Sequence, residues 1–326
     1  MLAVGENGAG KTNLLEALHV GTQGFSPRSR NDAQLVRFGA QAARIELAGN
    51  RGGTALEVEL TLRPGEAKRA RLNGAALRAA EQLRAEVATL VFTPDRLVVV
   101  KGGPAARRAY FDRTLGRLFP ARAGVPAEYA ASVAQRNAAL RRSAIGVSSR
   151  DAIAPWTERV AELGRTLVAG RSDAIALLSP PFADRAAELG LSRAEVRYEA
   201  EGPTVEALEA RLDEDLDRGT TGLGPHLDDV GITTDGRDLR RFGSQGEQRL
   251  AVLSLLLAEA ELLTDRGAVP PLLLLDDVLS ELDERRRRAL AERLAGVGQV
   301  FVTATGASAL PVEPAQLVEV VPGSAR

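Results

Sequence analysis

The sequence predicts an α/β fold: a lobe built on a buried parallel sheet, interrupted by a mainly helical second lobe. Three observations carry this reading. A glycine-rich loop with a lysine sits between an apolar run and a helical pattern at the start of the chain. Four consecutive leucines end in two aspartates, Asp276 and Asp277. Between these, from about residue 105 to 188, the pattern is helical, punctuated by Gly, Pro and short polar stretches.

The glycine-rich loop is Gly5-Glu6-Asn7-Gly8-Ala9-Gly10-Lys11-Thr12, which fits G-x-x-x-x-G-K-[ST] at every fixed position. Leu2-Ala3-Val4 leads in as a strand, and Asn13 to Leu18 leave at helical spacing. Glycines let backbone N–H groups close around phosphates, and the following helix points its positive end at the same charge. Lys11 is placed to reach the β- and γ-phosphates of a nucleotide, and Thr12 to hold Mg²⁺. The chain has three lysines, Lys11, Lys68 and Lys101, and writes its other cations as Arg. A lysine at this place is therefore not an accident of composition.

The 326 residues suffice for one large or two ordinary domains. At 44% hydrophobic and 26% charged, the composition is that of a globular protein. There is no cysteine, which excludes disulfides and thiolate metal sites and fits a reducing cytoplasm. No apolar run is long enough for a membrane span, and no secretory signal is visible. The chain opens directly on the phosphate-loop strand, so strands that would flank it at the N-terminus are expected to be missing from this sequence. The net charge of −1 argues against a uniformly basic nucleic-acid binder. Local clusters remain: Lys68, Arg69 and Arg71; Arg107 and Arg108; Arg136, Arg141 and Arg142; Arg237, Arg240 and Arg241; Arg285 to Arg288.

In order, residues 25–32 read as a polar loop and 33–38 as a short helix. Residues 44–48 and 55–62 alternate apolar and polar, as half-buried strands joined by a hairpin loop at 49–53. A second hairpin turns at Asn73-Gly74. Residues 87–92 form an apolar strand. Helices are expected over 106–119, 127–142 and 156–178, the last stopped by Ser179-Pro180-Pro181. Residues 194–200 read as a strand, 205–217 as a charged helix, and 220–234 as a loop running into a strand. The domain expectation is 1–104 for the first part of the nucleotide lobe, 105–193 for the helical lobe, and 194–326 for the remainder of the nucleotide lobe.

The leucines at 272–275 read as a strand buried on both faces. Carboxylates at its C-terminal end lie where open α/β sheets bind ligands. Asp276 suits the Mg²⁺ shared with Thr12, and Asp277 suits orienting or deprotonating the attacking water. Ser244-Gln245-Gly246-Glu247-Gln248 opens an amphipathic helix as a capping box and leaves an anion site at a positive helix end. Ser280-Glu281-Leu282-Asp283 suits a cap on the next helix and also a bridge between two subunits. A last buried strand, 300–303, ends in Thr303-Ala304-Thr305, hydroxyls suited to sensing a γ-phosphate.

Phosphate loop, S-Q-G-E-Q, L-L-L-L-D-D and S-E-L-D in this order resemble the ABC-type ATPases of the SMC-like branch. S-P-R-S-R-N-D, L-N-G-A-A-L-R, V-F-T-P-D-R-L-V-V-V-K-G-G-P-A-A-R-R, Q-R-N-A-A-L, G-P-H-L-D-D-V and D-D-V-L-S-E-L-D-E-R narrow the resemblance to the RecF family of bacterial recombination mediators, from residue 1 to about 310. The resemblance implies an ABC-type P-loop ATPase lobe with an inserted, mainly helical second lobe. It implies slow Mg²⁺-dependent ATP hydrolysis and an ATP-dependent homodimer on double-stranded DNA near single-strand junctions. It also implies cooperation with RecR and RecO in loading RecA, within the cytoplasm and away from membranes. Nucleotide contacts carry over to Gly5, Glu6, Asn7, Gly8, Ala9, Gly10, Lys11 and Thr12, metal contacts to Thr12 and Asp276, and water activation to Asp277. The trans signature carries over to Ser244, Gln245 and Gly246. The family pattern has an arginine where this chain has Leu227. A transporter coupling subunit and a small-molecule P-loop kinase use overlapping motifs. Arg107, Arg108, Arg136 and Arg141 in the helical lobe favour a polyanion, and Ser244-Gln245-Gly246 would have no task in a kinase.

Overall fold

The computed structural model describes every residue except Arg30 and Ala268, so Arg30 of the expected polar loop lies outside the described residues. The chain begins with β1 (Leu2–Val4), α1 (Lys11–Gln23), β2 (Ala43–Arg51), β3 (Thr54–Leu62), β4 (Arg69–Leu72), β5 (Ala75–Ala76) and β6 (Thr89–Phe92). The middle holds α2 (Val98–Lys101), α3 (Pro104–Leu118), α4 (Val125–Ala144), α5 (Ala154–Glu188), β7 (Ala194–Arg197), α6 (Val205–Ala210), α7 (Leu212–Arg218), β8 (Gly231–Thr234), β9 (Arg237–Asp238) and α8 (Leu239–Phe242). The remainder is α9 (Gln245–Gly267), β10 (Leu272–Leu275), α10 (Glu284–Leu294), β11 (Val300–Ala304), β12 (Leu317–Val321) and β13 (Ser324–Ala325). These fall into two compact units: residues 1–97, 188–190 and 252–326, and residues 98–187 and 191–251.

The first unit is built on a six-stranded sheet in the order β13-β12-β1-β11-β10-β6, parallel throughout except at β13. A parallel strand covered on both faces needs apolar side chains on both, which is why β10 is a run of leucines. The second sheet, β2-β3-β4-β5, is antiparallel. Val58, Leu60 and Leu62 alternate inward from β3 and join Val20 of α1 in one apolar cluster. Gly21 lets α1 approach this sheet: a Cβ there would lie 2.4 Å from Leu47. The first hairpin loop is shorter than the expected 49–53. Pairing continues to Arg51 and Thr54, leaving only Gly52 and Gly53, both at positive φ. The second hairpin turns at Asn73-Gly74 as expected, both again at positive φ, the geometry that suits tightly twisted strands. The expected helix at 33–38 is a single 3-10 turn, Asp32–Leu35.

The second unit holds α3, α4 and α5 and the small sheet β7-β8-β9. It spans residues 98–187 and 191–251, whereas the sequence suggests 105–193 for the helical lobe. Ion pairs within the unit account for this. Arg136 of α4 meets Asp215 of α7 at 2.7 Å with both side chains fully buried. Arg107 of α3 makes a bidentate pair with Asp229, at 2.6 and 2.7 Å. Arg171 of α5 grips Asp112 and the carbonyl of Pro225. Charge patterning alone does not reveal such pairings, since the partners lie 59 to 122 residues apart.

The expected stop at Ser179-Pro180-Pro181 does not occur: α5 runs through both prolines to Glu188. Each proline removes one backbone donor. Burial of Phe182 and Ala186, both fully inaccessible, favours continuation. Ser179 donates to the Ile175 carbonyl within the helix and to Val196 of β7. The expected helix at 205–217 is broken at Arg211 into α6 and α7, which directs Asp215 inward to Arg136.

A buried ion pair that loses one partner leaves a charge without compensation. Arg136→Met is expected to destabilise the protein by about 3–5 kcal/mol in urea unfolding.

Candidate nucleotide site

The phosphate loop joins β1 to α1 in the first unit. Gly8 and Gly10 have φ of +85° and +109°, in the left-handed region that side chains avoid. Gly5 is required for a different reason: a Cβ there would lie 2.3 Å from the Val320 carbonyl of β12. Gly10 occupies the N-cap of α1 without any side-chain cap, so the first helical turn presents its N–H groups to an anion. Lys11 Nζ donates to the carbonyls of Gly5 and Glu6, at 2.7 and 2.9 Å, and holds the loop closed on itself. A cavity of about 700 Å³ opens beside the loop, lined by Gly8, Gly10, Asn13, Arg37 and Pro322 among others.

Asp276 follows β10, and its N–H donates to Phe92 of β6 at 2.9 Å. Its buried carboxylate receives Thr12 Oγ1 at 3.1 and 3.0 Å from its two oxygens, and Thr303 Oγ1 at 2.7 Å. Asp277 has φ +49°, unusual for a residue with a side chain. Its N–H donates to Thr303 Oγ1 at 3.0 Å, and its carboxylate accepts from Ser280 Oγ at 3.1 Å. The hydroxyl of Thr12 and the carboxylate of Asp276 are hard oxygen donors of the kind Mg²⁺ takes. Among the described residues no cluster of three or more His, Cys, Asp and Glu is arranged to hold a metal alone.

Lys11, Thr12, Asp276 and Asp277 thus converge within the first unit. Ser244, Gln245 and Gly246 belong to the second. There the capping box forms as expected: Ser244 N–H donates to Glu247 Oε2 at 2.7 Å, and Glu247 N–H to Ser244 Oγ at 3.2 Å. Ser244 and Gln245 are exposed. Within S-E-L-D the capping expectation is met. Asp283 caps α10 by accepting from the Arg286 N–H, and Ser280 turns back to Asp277. The sequence signals neither Val320, which presses on Gly5 from a strand over 300 residues away, nor the true setting of Thr303.

Of the arginines that favoured a polyanion in the helical lobe, Arg107 and Arg136 are turned inward, Arg108 is half-buried and Arg141 stays exposed. Arg107 and Arg136 are buried in the ion pairs above, Arg108 donates to the Asp228 carbonyl at 2.6 Å, and Arg141 to that of Gly219 at 3.2 Å. Burial by itself would raise the pKa of Asp229; the hydrogen bonds from Arg107 and the Val230 N–H, together with the charges of Arg107 and Arg240, outweigh it and hold the carboxylate below its ordinary value. The turn containing Leu227 is pinned on both sides. Tyr198 Oη donates to Asp228 at 2.6 Å, and Arg171 donates to the Pro225 carbonyl at 2.7 Å. His226 Nε2 lies 3.0 Å from the Thr221 carbonyl, which only accepts, so that nitrogen carries the proton and Nδ1 accepts from Tyr129 Oη at 2.8 Å. Leu227 itself is exposed, so the turn is formed without an arginine there.

A family model described as the RecF/RecN/SMC N terminal domain matches residues 1–322. The DNA replication and repair protein RecF of Heliobacterium modesticaldum is 38% identical over 318 residues, spanning 93% of this chain and 85% of that protein. The chain belongs to the RecF family. RecF of Kineococcus radiotolerans is likewise 38% identical, over 338 residues, with 92% of this chain and 85% of that protein covered. The structure of the recombination mediator protein RecF with ATP in the RecFOR pathway matches with a TM-score of 0.86 at 28% identity, over 100% of this chain and 90% of that one. The Smc head bound to the C-winged helix domain of ScpA matches with a TM-score of 0.59 at 16% identity, which shows a shared fold. The ABC-type ATPase fold with a helical second unit, expected from the RecF-like motifs, is the fold observed.

A side chain at position 5 must displace the backbone of β12, not a flexible group. Gly5→Ala is expected to weaken ATP binding by tenfold or more, about 1.4 kcal/mol, in a fluorescent-nucleotide titration.

Proposed function

We propose that this RecF-family chain is an ATP-dependent recombination mediator. It dimerises on ATP, binds double-stranded DNA near single-strand junctions, and works with RecR and RecO to help load RecA. The observation that carries the ATP half of this reading is the convergence of Thr12 and Asp276, 264 residues apart, at the mouth of the phosphate loop. The DNA-repair half is supported by relatives named as DNA replication and repair proteins and by the similarity to RecF solved with ATP.

Each group then has a task. The N–H groups of residues 8–12 cradle the phosphates, and Lys11 exchanges its two carbonyl partners for the β- and γ-phosphate oxygens. Thr12 and Asp276 hold Mg²⁺, which when bound neutralises charge on those oxygens. Asp277 accepts a proton from the water that attacks the γ-phosphorus, giving ADP and phosphate. Ser244, Gln245 and Gly246 of a second copy close over the same γ-phosphate, using the exposed start of α9. Hydrolysis is slow because the site is complete only in the dimer. The clustered arginines that remain exposed for DNA phosphates are Arg69 and Arg71 on β4, Arg141 and Arg142 on α4, Arg237, Arg240 and Arg241 before α9, and Arg285 and Arg288 on α10.

Sizing by light scattering with ATP and duplex DNA tests this reading. Native protein is expected to dimerise, and Lys11→Ala to lose ATP binding and dimer together. Ser244→Arg is expected to keep ATP binding and remain a monomer; persistent dimers in that variant would contradict the trans arrangement. Duplex binding is expected to weaken at least tenfold between 50 and 200 mM salt in a fluorescence-anisotropy titration, with little sequence preference. Salt-independent binding would remove the exposed arginines from the interface.

A further inference from the structure

The sequence suggests γ-phosphate sensing for the hydroxyls at the end of β11. The structure gives Thr303 a different setting. Leu275 pairs with Val302 across β10 and β11, so the next residues along, Asp276 and Thr303, are neighbours at the sheet's C-terminal edge. Thr303 is fully buried. Its Oγ1 makes two hydrogen bonds of opposite sense: it donates to Asp276 Oδ1 at 2.7 Å and accepts from the Asp277 N–H at 3.0 Å.

A hydroxyl has one proton. With a backbone N–H facing a lone pair of the oxygen, that proton is committed to the carboxylate. The Asp276 carboxylate is thereby held in one orientation, with both oxygens within reach of Thr12. The same oxygen anchors the left-handed backbone of Asp277. A single threonine therefore fixes the side chain of the first acid and the main chain of the second.

We propose that Thr303 is a positioning residue for the acidic pair. It presets Asp276 for the cation shared with Thr12 and aims Asp277 at the attacking water, and it does not touch the nucleotide. The exposed hydroxyl at this edge is Thr305. This inference rests on the Mg²⁺–ATP reading given above.

The test compares native protein, Thr303→Val and Thr303→Ser. Three measurements are needed: fluorescent-ATP binding without divalent cation, Mn²⁺ affinity by electron paramagnetic resonance with a non-hydrolysable ATP analogue, and thermal unfolding. Thr303→Val keeps the branched shape and removes both hydrogen bonds. It is expected to bind the nucleotide normally without metal and to lose roughly 10- to 100-fold in Mn²⁺ affinity, the effect typical of removing an outer partner of a ligand. Thr303→Ser restores donor and acceptor and is expected to lie within about threefold of native, as the retained hydroxyl requires. Native Mn²⁺ affinity in Thr303→Val overturns the proposal. So does equal impairment of the Ser and Val variants, or loss of metal-free nucleotide binding in a folded Val variant. If the Val variant does not fold, Thr303→Ala takes its place under the same criteria. Failure of the native protein to bind the nucleotide at all would overturn the ATP reading instead.

Discussion

The carboxylate of Asp276 is the point at which the first unit closes. A charge taken out of water must be met by hydrogen-bond donors or it destabilises the fold. Here the donors are Thr12, in the first turn of α1, and Thr303, on β11. The carboxylate follows β10, whose neighbours β6 and β11 are set by parallel pairing. Three elements from distant parts of the chain must therefore converge for one charge to be satisfied. That requirement places the phosphate loop against the end of the sheet, and the pressure of β12 on Gly5 places it from the other side.

The second unit is held by a different device. Its interior contains arginine–aspartate pairs, of which Arg136–Asp215 is wholly removed from solvent. Arg136 also donates to Thr221 at 3.0 Å and receives support from Thr157, so the guanidinium is met on several edges. Such pairs add little net stability compared with apolar packing, but one partner without the other is costly. They join helices to the segments that follow them in sequence, which is why the unit extends through residue 251. They also consume positive charge. Arg107 and Arg136, which look available in the sequence, are internal ties, whereas their neighbours Arg141 and Arg142 remain at the surface.

The turn around Leu227 joins these themes. Its flanking residues are fixed by Tyr198, Arg171, Tyr129 and Thr221, and the tip carries no structural bond from its side chain. An exposed tip on a rigid base tolerates a change of side chain without a change of fold. The leucine at this tip accordingly leaves the architecture intact.

The sequence by itself determined the local elements of the site. The phosphate-loop spacing, the leucine strand ending in Asp276 and Asp277, the capping box at Ser244 and the Asn73-Gly74 turn are local patterns, and each is found where the pattern places it. Local signals suffice there because the governing forces act over a few residues: glycine dihedrals, strand burial and helix capping. Tertiary structure decided the rest. The prolines at 180 and 181 lie within a helix because Phe182 and Ala186 are buried, and the helix at 205–217 breaks because Asp215 must reach Arg136. Whether an arginine faces water, whether Thr303 faces a ligand or an acid, and which carbonyl forbids a side chain at position 5 all depend on partners far away in the chain. No pattern of neighbouring residues encodes such distances, because they arise only when separate elements compete for the same buried space.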